Sequence, residues 1–496
     1  MGRAVDACGL NPGMLRMTRG AQPHGEIELK FDLDQAAADV IEDHPLLAGS
    51  ERRHHAQRST YFDTPNRKLG KAGYSLRVRQ VGGCFTQTLK TRASHAGLFD
   101  RGEWEMPVSA MRPEQVALAR TPLSKLRKVS SLVATGHSKV ERTEWLVDHR
   151  GSLIQVCLDR GTVSNGSGEH RFHELELELR QGDPAALFAV ARILAEAVPL
   201  RLGVLAKDER AEMPGTGTGQ PRCAPTITLD KGMTVEAVFA QIAQSCIRHL
   251  RLNETLIVAG RDAEALHQAR IAMRRLRAAM SFFRPAIRRS GLRRLRSELS
   301  WLTASLADAR DVDVLIAHHD DLSRADRRKL RLARSAAYAQ ATGAIDSQRL
   351  RGFLLDLVEW LSTAEWQKKS ATLPILTFAS RRLDRLWKEV RQRSSHLVEL
   401  DDTGLHRLRI AVKKLRYAVE FLDMLYGKRA RKFASRLEKV QDGLGLMNDE
   451  AVGRNLIAAL SLRSADESCQ ATRAKRLDAL ENDFRRLGKA GRFWND

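Results

Sequence analysis

Two patterns of hydrophobic and polar positions divide this chain into halves. Between about Glu26 and Leu179, apolar and polar residues alternate in short segments separated by turn residues such as Gly82-Gly83, a pattern typical of β-strands. Beyond Leu229, apolar residues recur at spacings of three and four over long segments, which is typical of helices. The chain is therefore predicted to be an α+β multidomain protein, with a strand-rich first half and an all-α second half.

A stretch rich in glycine, proline and threonine, from Pro214 to Pro225, separates the two patterns. Such a composition predicts a flexible linker. We therefore expect a disordered N-terminal extension at residues 1–23, a first domain at residues 24–212, a linker at 213–229 and a helical domain at 230–496.

Four of the predicted strands carry charged residues on one side and apolar residues on the other. One such strand more often faces solvent, but four of them favour an antiparallel barrel with charged side chains in its lumen. They are Glu26-Ile27-Glu28-Leu29-Lys30, Arg77-Val78-Arg79, Glu103-Trp104-Glu105 and Glu174-Leu175-Glu176-Leu177-Glu178. A lumen of this kind suits a phosphate chain, since Arg and Lys neutralise phosphate oxygens while Glu supplies oxygen ligands for Mg²⁺ or Mn²⁺.

The helical half contains an internal duplication, because the segment from Leu266 to Arg277 recurs from Leu405 to Arg416. Counted from the histidine in each copy, cations follow at three, seven and ten residues, within an arc of about 80° on one helix face. The stripes consist of His267, Arg270, Arg274 and Arg277, and of His406, Arg409, Lys413 and Arg416. The opposite faces are apolar, which predicts two related halves whose stripes line one shared groove.

Composition narrows the class of partner. The 496 residues include 82 Lys and Arg against 60 Asp and Glu, a formal charge of +22. Such an excess indicates a polyanionic partner. Aromatic residues are only 5% of the chain, which argues against nucleic acid because its readers offer stacking platforms. Nucleic acid thus ranks below phosphate chains without being excluded.

Cysteine usage and hydropathy indicate the compartment. The six cysteines are scattered without paired CxxC spacing, which predicts reduced thiols rather than zinc ligands or a disulfide framework. No run of apolar residues is long enough to span a membrane, and no signal-peptide core precedes Pro23. We therefore expect a cytoplasmic protein without a membrane partner, and an association with polyphosphate granules is compatible with its charge.

The first half resembles a known family in its motifs. Glu26-Ile27-Glu28-Leu29-Lys30 is similar to the ExExK signature of the CYTH superfamily, the triphosphate tunnel metalloenzymes. The resemblance continues in family order through Tyr61-Phe62-Asp63, Leu76-Arg77-Val78-Arg79, Leu89-Lys90, Arg101-Gly102-Glu103, Leu158-Asp159, Glu174 to Glu178 and Ala206-Lys207 to Arg210. It implies an eight-stranded tunnel that binds a triphosphate and a divalent metal.

The resemblance also implies roles for individual residues. Catalytic residues would be Glu26, Glu28, Lys30, Arg77, Arg79, Lys90, Glu103 and Glu105. Substrate would be bound by Arg142, Asp159, Lys207 and Arg210, and the metal by Glu26, Glu28, Glu176 and Glu178.

The second half resembles a CHAD domain, a histidine-containing helical module. The duplicated segments are similar to its two signature helices, and each is followed at nearly the same interval by a supporting segment, Arg310-Asp311 or Asn448-Asp449. The resemblance implies two pseudo-symmetric four-helix bundles that bind inorganic polyphosphate in a basic groove between them.

Two classes of function follow from these patterns. The first is a metal-dependent triphosphatase that splits inorganic triphosphate into diphosphate and phosphate, with the helical domain binding polyphosphate. The second is a non-catalytic protein that binds or targets polyphosphate. Within the enzyme class, thiamine triphosphate, a nucleoside triphosphate and the adenylate cyclase reaction remain alternatives, since the family includes such activities.

Overall fold

The computed structural model describes residues 24–91, 98–125, 131–166, 168–211, 219–288, 291–318, 323–363, 366–368, 372–462 and 469–495. The chain forms two compact units, Met1–Gln220 and Pro221–Asp496. The expected N-terminal extension, residues 1–23, lies outside the described ranges.

Nine strands form one sheet among the described residues of the first unit. They are β1 (His24–Leu33), β2 (Arg53–Asp63), β3 (Tyr74–Val81), β4 (Cys84–Thr91), β5 (Leu98–Val108), β6 (Val133–His149), β7 (Ser152–Asn165), β8 (Gly168–Gln181) and β9 (Arg201–Leu202). Their hydrogen-bonded order is β5-β4-β3-β2-β6-β7-β8-β1-β9, and β5 also pairs with β1. Strands β1 to β8 therefore close into the antiparallel eight-stranded barrel that the resemblance implies.

Strand β1 closes the barrel by pairing on both of its edges. On one edge, His24–Leu29 pair with β5, and Phe31 and Asp32 pair with β9. On the other edge, Glu28–Leu33 pair with β8. The β1–β5 pairing matters because it joins the two ends of the sheet and encloses the space on its inner face.

Apolar side chains on the outer face of the barrel pack against helices. These helices are α1 (Gln35–Glu42), α2 (Pro45–Ala48), α3 (Lys68–Lys71), α4 (Gln115–Leu118) and α5 (Ala185–Ala197). A further helix, α6 (Lys207–Ala211), packs on lumen-facing residues instead, since Ala211 clusters with Val140, Val163 and Phe172. Leu175 and Leu177 of β8 are fully buried, and α5 packs over their strand. Because side chains alternate across a strand, Glu174 and Glu176 of β8 face the lumen instead.

Asp63 holds the chain where it leaves β2. Its Oδ1 accepts hydrogen bonds from the backbone N–H groups of Thr64 at 2.6 Å and Leu69 at 2.9 Å, and its Oδ2 accepts one from Gly70 at 2.9 Å. The carboxylate thus satisfies donors at the start of α3 that would otherwise be orphaned. The Asp63 motif that resembles the CYTH pattern therefore has a structural role.

Ten α-helices are seen in the described part of the second unit. They are α7 (Val235–Gly260), α8 (Ala263–Phe282), α9 (Leu292–Ser305), α10 (Ala307–His318), α11 (Arg324–Ile345), α12 (Gln348–Ser362), α13 (Ile375–Ser394), α14 (Asp402–Tyr426), α15 (Lys428–Ala459) and α16 (Cys469–Gly488). The described part of this unit contains no β-strand, and its β-pairing is limited to two isolated bridges. The all-α prediction is confirmed.

The duplicated segments occupy α8 and α14, which pack on each other. The predicted apolar faces are both buried, namely Ala272, Met273, Leu276, Met280 and Phe283 in the first copy, and Ala411, Val412, Leu415, Val419 and Leu422 in the second. Among the described residues the halves differ in helix number, because α13 to α16 are four helices whereas α7 to α12 are six. One reason is that the helix breaks at Leu306 in the first half, which separates α9 from α10. The corresponding segment of the second half is the continuous helix α15.

Part of the predicted linker packs on the second unit. Ile227 and Leu229 are buried, and the backbone N–H of Arg222 donates to Asn253 Oδ1 on α7 at 3.0 Å. The division of the chain lies between Gln220 and Pro221. Two aliphatic side chains in an otherwise polar stretch explain why residues 221–229 join the helical unit.

The sequence predicted that all cysteines are reduced, and this prediction is wrong for one of them. Cys157, Cys223 and Cys246 are free thiols, whereas Cys84 at the start of β4 is disulfide-bonded. Its partner is not among the described side chains. Spacing alone could not reveal a pair without a CxxC motif.

No helix in the described part of the chain has the length and apolar character needed to cross a membrane.

Replacement of Asp63 tests its structural role. Asp63→Ala leaves buried N–H groups without an acceptor and should destabilise the first unit by about 2–4 kcal/mol. Thermal unfolding and amide hydrogen exchange at Leu69 and Gly70 would measure the effect. A matched control is Asp148→Ala, since the exposed Asp148 accepts one hydrogen bond, from Gly151 N at 3.0 Å. Equal effects of the two substitutions would contradict the role assigned to Asp63.

Candidate functional site

Three buried carboxylates from two neighbouring strands meet inside the barrel. Asp159 on β7 lies opposite Glu174 on β8 in the strand register, and Glu176 follows two residues later on the same face. One oxygen atom from each of the three carboxylates lies within 4.8 Å of the other two. Among the described side chains, this is the one such group of three potential metal ligands. We call it the acid cluster.

Two lysines contact the acid cluster. Lys207 Nζ lies 2.8 Å from Asp159 Oδ2, 2.5 Å from Glu174 Oε1 and 2.9 Å from Glu176 Oε1. Lys30 Nζ lies 3.2 Å from Glu174 Oε1 and 2.7 Å from Glu176 Oε1. These ammonium groups come from opposite ends of the domain sequence, β1 and α6, and converge because the barrel is closed.

An arginine completes the neutralisation of the acid cluster. The Arg142 guanidinium donates from Nε to Asp159 Oδ1 at 2.6 Å and from Nη2 to Asp159 Oδ2 at 2.7 Å. It also donates to Glu176 Oε2 at 2.5 Å. With Lys30 and Lys207, Arg142 supplies three positive charges against three carboxylates.

The charges set the protonation state of the cluster. Burial alone would raise the pKa of Glu176, but the positive charges of Lys207, Lys30 and Arg142 outweigh burial and hold this pKa well below its ordinary value. Burial likewise opposes ionisation of Asp159, whose pKa is nevertheless lowered by Arg142 and Lys207. Both groups are therefore carboxylates at neutral pH, the form that binds a metal.

The backbone near α6 is shaped around these cations. Gly203 N donates to Lys30 O at 2.8 Å, and a Cβ at position 203 would lie 2.6 Å from Lys30 Cγ. Only glycine permits this approach without displacing Lys30. On α6, the guanidinium of Arg210 pairs with Asp32 and lies 3.2 Å from Glu174 Oε2. Thus both predicted residues of α6, Lys207 and Arg210, contact acids of the barrel.

The remaining predicted cations lie on β3 and β4, with acids on β5. Lys90 is opposite Glu103 in the register, and Lys90 Nζ lies 2.9 Å from Glu103 Oε2. Arg77 Nη2 lies 3.9 Å from the same carboxylate. Burial and the charges of Arg77 and Arg142 lower the pKa of Arg79.

Arg79 and Glu105 lie in the same part of the barrel as Arg77 and Lys90. The Nε atom of Arg79 is buried without a hydrogen-bond partner among the described residues. Glu105 accepts a hydrogen bond from Thr88 Oγ1 at 3.0 Å and is ionised, since Arg79, Arg77 and Lys90 lower its pKa against the opposing effect of burial. Arg77, Arg79 and Lys90 therefore form a cationic wall that could hold phosphate oxygens.

The structure gathers only part of the predicted metal-ligand set. Glu176 belongs to the acid cluster, whereas Glu28 and Glu178 face each other across the β1–β8 pairing. Glu178 Oε1 lies 2.7 Å from Arg180 Nη1. The side chain of Glu26 is outside the described part of the chain. Glu174 was not among the predicted site residues, although the alternation in its strand already placed it on the charged side.

The second unit brings the two cationic stripes together. Burial and the charges of Arg409 and Arg274 lower the pKa of Lys413 to about 7, with a smaller effect of Arg270. Charges from both helices therefore act on one ammonium group. An ion pair between Arg275 on α8 and Glu420 on α14 joins the helices beside the stripes. The two stripes thus lie next to each other, and we call the surface that they share the basic groove.

An aspartate accompanies the first arginine of each stripe. Arg409 Nη2 lies 3.7 Å from Asp449 Oδ1 on α15, and Arg270 interacts with Asp311 on α10. Burial and the charges of Asp308 and Asp449 raise the pKa of Asp311 against the effect of Arg270. The two supporting segments seen in the sequence therefore place equivalent aspartates in the groove.

The histidines of the stripes differ in environment. His406 is exposed, and its Nδ1 lies 3.2 Å from Asn448 Oδ1. His267 is partly buried, and burial together with the charge of Arg310 lowers its pKa to about 4. His267 is therefore neutral at pH 7.

The last cation of each stripe turns towards a neighbouring helix. Arg277 Nη2 lies 3.3 Å from both Ser300 Oγ and Thr303 Oγ1 on α9. Arg416 lies 3.6 Å from Glu438 on α15. Unpartnered buried nitrogens remain in the stripes among the described residues, namely Arg270 Nη1 and the Nε atoms of Arg274, Arg409 and Arg416. Such donors are available for anion oxygens.

Sequence comparison identifies both units. Residues 24–211 match the CYTH domain family, and residues 241–458 match the CHAD domain family. The chain therefore carries a CYTH domain followed by a CHAD domain, as the motifs had indicated.

A curated relative matches part of the chain. An inorganic triphosphatase from Haemophilus influenzae is 34% identical over 133 residues, which make up 26% of this chain and 38% of that protein. The match thus spans less than half of that relative.

Solved structures also resemble parts of the chain. The CHAD domain from the plant Ricinus communis is 28% identical over 54% of this chain and 92% of that chain, with a TM-score of 0.44. A Hippeastrum protein described as having a dominant triphosphatase activity is 18% identical over 37% of this chain and 92% of that chain, with a TM-score of 0.30.

Proposed function

We propose that the CYTH barrel hydrolyses inorganic triphosphate to diphosphate and phosphate with the help of Mg²⁺ or Mn²⁺. The observation that carries the proposal is the acid cluster facing a cationic wall inside one closed barrel. The triphosphatase relative from Haemophilus influenzae supports the same activity. Carboxylates alone would repel the substrate, and cations alone would bind it without activating water.

The acid cluster fits a divalent metal by its donor chemistry. Asp159, Glu174 and Glu176 offer oxygen ligands within 4.8 Å of one another, which are the ligands that Mg²⁺ and Mn²⁺ prefer. A bound metal would polarise a phosphoryl oxygen or lower the pKa of a water molecule.

The cations of the barrel would orient the substrate. Arg77, Arg79 and Lys90 would hold phosphate oxygens and stabilise the charge that develops on them. Three further cations contact the acid cluster and would also contact a phosphate chain bound beside it, namely Lys30, Arg142 and Lys207. The closed sheet would keep bulk water from these contacts, which strengthens each of them.

Hydrolysis of tripolyphosphate tests the enzyme proposal. With Mg²⁺ or Mn²⁺, the purified protein should release phosphate, and Glu176→Gln or Arg77→Ala should lower kcat/KM by about 10²–10³-fold because each removes a charge from the reacting centre. Phosphate release assayed against a metal series would measure this.

Two substitutions on exposed positions of the barrel serve as controls. Glu141→Gln and Arg58→Ala make the same chemical changes at exposed positions on β6 and β2 and should leave the rate within a factor of about two. An inert wild type with tripolyphosphate, ATP and thiamine triphosphate would refute the enzyme proposal. Release of diphosphate and a cyclic nucleotide from ATP would instead support the cyclase alternative.

We further propose that the CHAD unit binds inorganic polyphosphate in the basic groove. The carrying observation is the convergence of Arg270, Arg274, Arg409 and Lys413 from two packed helices, with unpartnered guanidinium nitrogens among them. Repeated phosphates offer regularly spaced anionic oxygens that such a row of cations can neutralise together.

Binding to long-chain polyphosphate tests the groove. The unit from Pro221 to Asp496 should bind polyphosphate, and Arg274→Ala or Arg409→Ala should weaken binding about tenfold by removing a charge-assisted contact. Arg293→Ala, on an exposed position of α9, is the matched control. Fluorescence anisotropy over a salt series would measure how polyphosphate affinity depends on salt concentration. This dependence should be weaker in the groove variants and unchanged in the control. Equal affinity for double-stranded DNA at matched salt would contradict selectivity for polyphosphate.

The low pKa of Lys413 predicts how the binding depends on pH. Its pKa of about 7 in the empty groove is lowered by burial, Arg409 and Arg274, with Asp449 opposing them. A lowered pKa means that the ammonium is lost as pH rises through 7, and a bound anion must restore the proton. Affinity should therefore fall roughly tenfold between pH 6.5 and pH 8.5. Lys413→Arg keeps its charge throughout and should flatten this dependence. A variant as steep as the wild type would exclude Lys413 as the cause.

A further inference from the structure

One ammonium group contacts every carboxylate of the acid cluster. Lys207 Nζ lies 2.8 Å from Asp159, 2.5 Å from Glu174 and 2.9 Å from Glu176. The three N–H bonds of an ammonium group can each serve one of these carboxylates. For comparison, Lys30 pairs with Glu174 and Glu176, and Arg142 with Asp159 and Glu176. Lys207 therefore lies among the oxygens that a divalent metal would need.

An ammonium group and a metal cannot share this position. Mg²⁺ binds oxygen ligands at about 2.0–2.1 Å, which is closer than the contacts of Lys207. The repulsion between the two cations would also be strong, because the cluster is buried and water cannot screen it well. Coordination by all three carboxylates therefore requires Lys207 Nζ to move away.

The charge balance shows when this movement becomes favourable. Lys30, Arg142 and Lys207 balance the three carboxylates, and Arg210, which also contacts Glu174, is balanced by Asp32. Even with the Glu28 carboxylate, which lies 4.0 Å from Lys30 Nζ, an added divalent metal would leave a buried excess of positive charge. Such an excess is costly in a protein interior. A triphosphate brings several negative charges, which compensate the metal and offer Lys207 new oxygen partners.

We propose that Lys207 occupies the metal position in the substrate-free barrel, so that the metal binds tightly only after triphosphate has drawn the ammonium group away. This inference rests on the proposed function of the barrel and concerns its order of assembly. Coupling between two ligands is reciprocal. Metal should therefore tighten the binding of triphosphate by the same factor.

Mn²⁺ binding to the full-length protein without any phosphate tests the inference. Electron paramagnetic resonance measures free Mn²⁺ directly and needs no turnover. Lys207→Met should bind Mn²⁺ at least about tenfold more tightly than the wild type, because the competing charge is gone. Lys207→Arg keeps a cation beside the carboxylates and should behave as the wild type. Wild-type affinity in Lys207→Met would overturn the inference.

A second lysine of the barrel controls for general electrostatics. Lys90 pairs with Glu103 rather than being centred on the acid cluster, so Lys90→Met should change Mn²⁺ affinity much less than Lys207→Met. An equal gain from both variants would show a general charge effect and overturn the specific role of Lys207. Glu176→Gln should abolish the gain when combined with Lys207→Met, since it removes a ligand. A gain that persists would place the Mn²⁺ elsewhere and also overturn the inference.

A measurement on the wild type alone guards against misfolded variants. Imidotriphosphate, which resists hydrolysis, should raise Mn²⁺ affinity at least about tenfold, after correction for Mn²⁺ held by the analogue itself. Unchanged affinity would overturn the inference without any variant. Failure of the proposed function is a separate result, since an absence of phosphate release leaves the Mn²⁺ comparison between wild type and Lys207→Met intact.

Discussion

The mutual neutralisation of charges buried in a closed barrel is the constraint on which the CYTH unit depends. Strands β7 and β8 bring Asp159, Glu174 and Glu176 together. Removing each of these ions from water costs several kcal/mol unless opposite charges and hydrogen bonds compensate. The compensating cations come from three other elements: Lys30 from β1, Arg142 from β6, and Lys207 and Arg210 from α6. The ring must therefore close and α6 must dock before the carboxylates are fully compensated.

The same constraint leaves the barrel ready for a highly charged ligand. Every cation that holds a carboxylate in the empty protein is also a potential partner for phosphate, so binding can exchange one set of ion pairs for another without exposing a buried charge. The cationic wall of Arg77, Arg79 and Lys90 adds capacity to the same lumen. Gly203 contributes by letting the backbone approach Lys30 closely. These features share one physical cause, the need to keep the lumen near neutrality in both states.

Much of this arrangement could be predicted from the sequence, and the remainder depends on strand register. Alternation correctly placed the charged faces of the strands, and helical spacing correctly assigned the buried faces of α8 and α14. Neither pattern shows which carboxylates lie across from each other. Asp159 meets Glu174 because of the β7–β8 register, and that register is set by packing along both strands. Glu174 was therefore overlooked although its position in the alternation was plain.

Other contacts cannot be predicted from sequence patterns. Asp63 binds the amides of Leu69 and Gly70, six and seven residues further along the chain, and the motif around Asp63 does not reveal this role. The ion pair between Arg275 and Glu420 spans 145 positions. Local periodicity cannot reveal such pairs because they follow from how whole helices pack. The docking of residues 221–229 on α7 was likewise hidden in a stretch whose composition predicted a linker.

The number of carboxylates that converge distinguishes the two phosphate-chain sites we propose. In the basic groove, each stripe has its own aspartate, so Asp311 accompanies Arg270 and Asp449 accompanies Arg409. These two acids neutralise part of the positive charge of the groove. The described residues of the groove contain no group of three potential metal ligands. In the barrel, three carboxylates share one small space and all contact one cation, Lys207. A site that already collects three carboxylates around Lys207 Nζ is suited to a metal and hence to hydrolysis. A groove whose acids lie singly beside arginines is suited to holding a phosphate chain without cutting it.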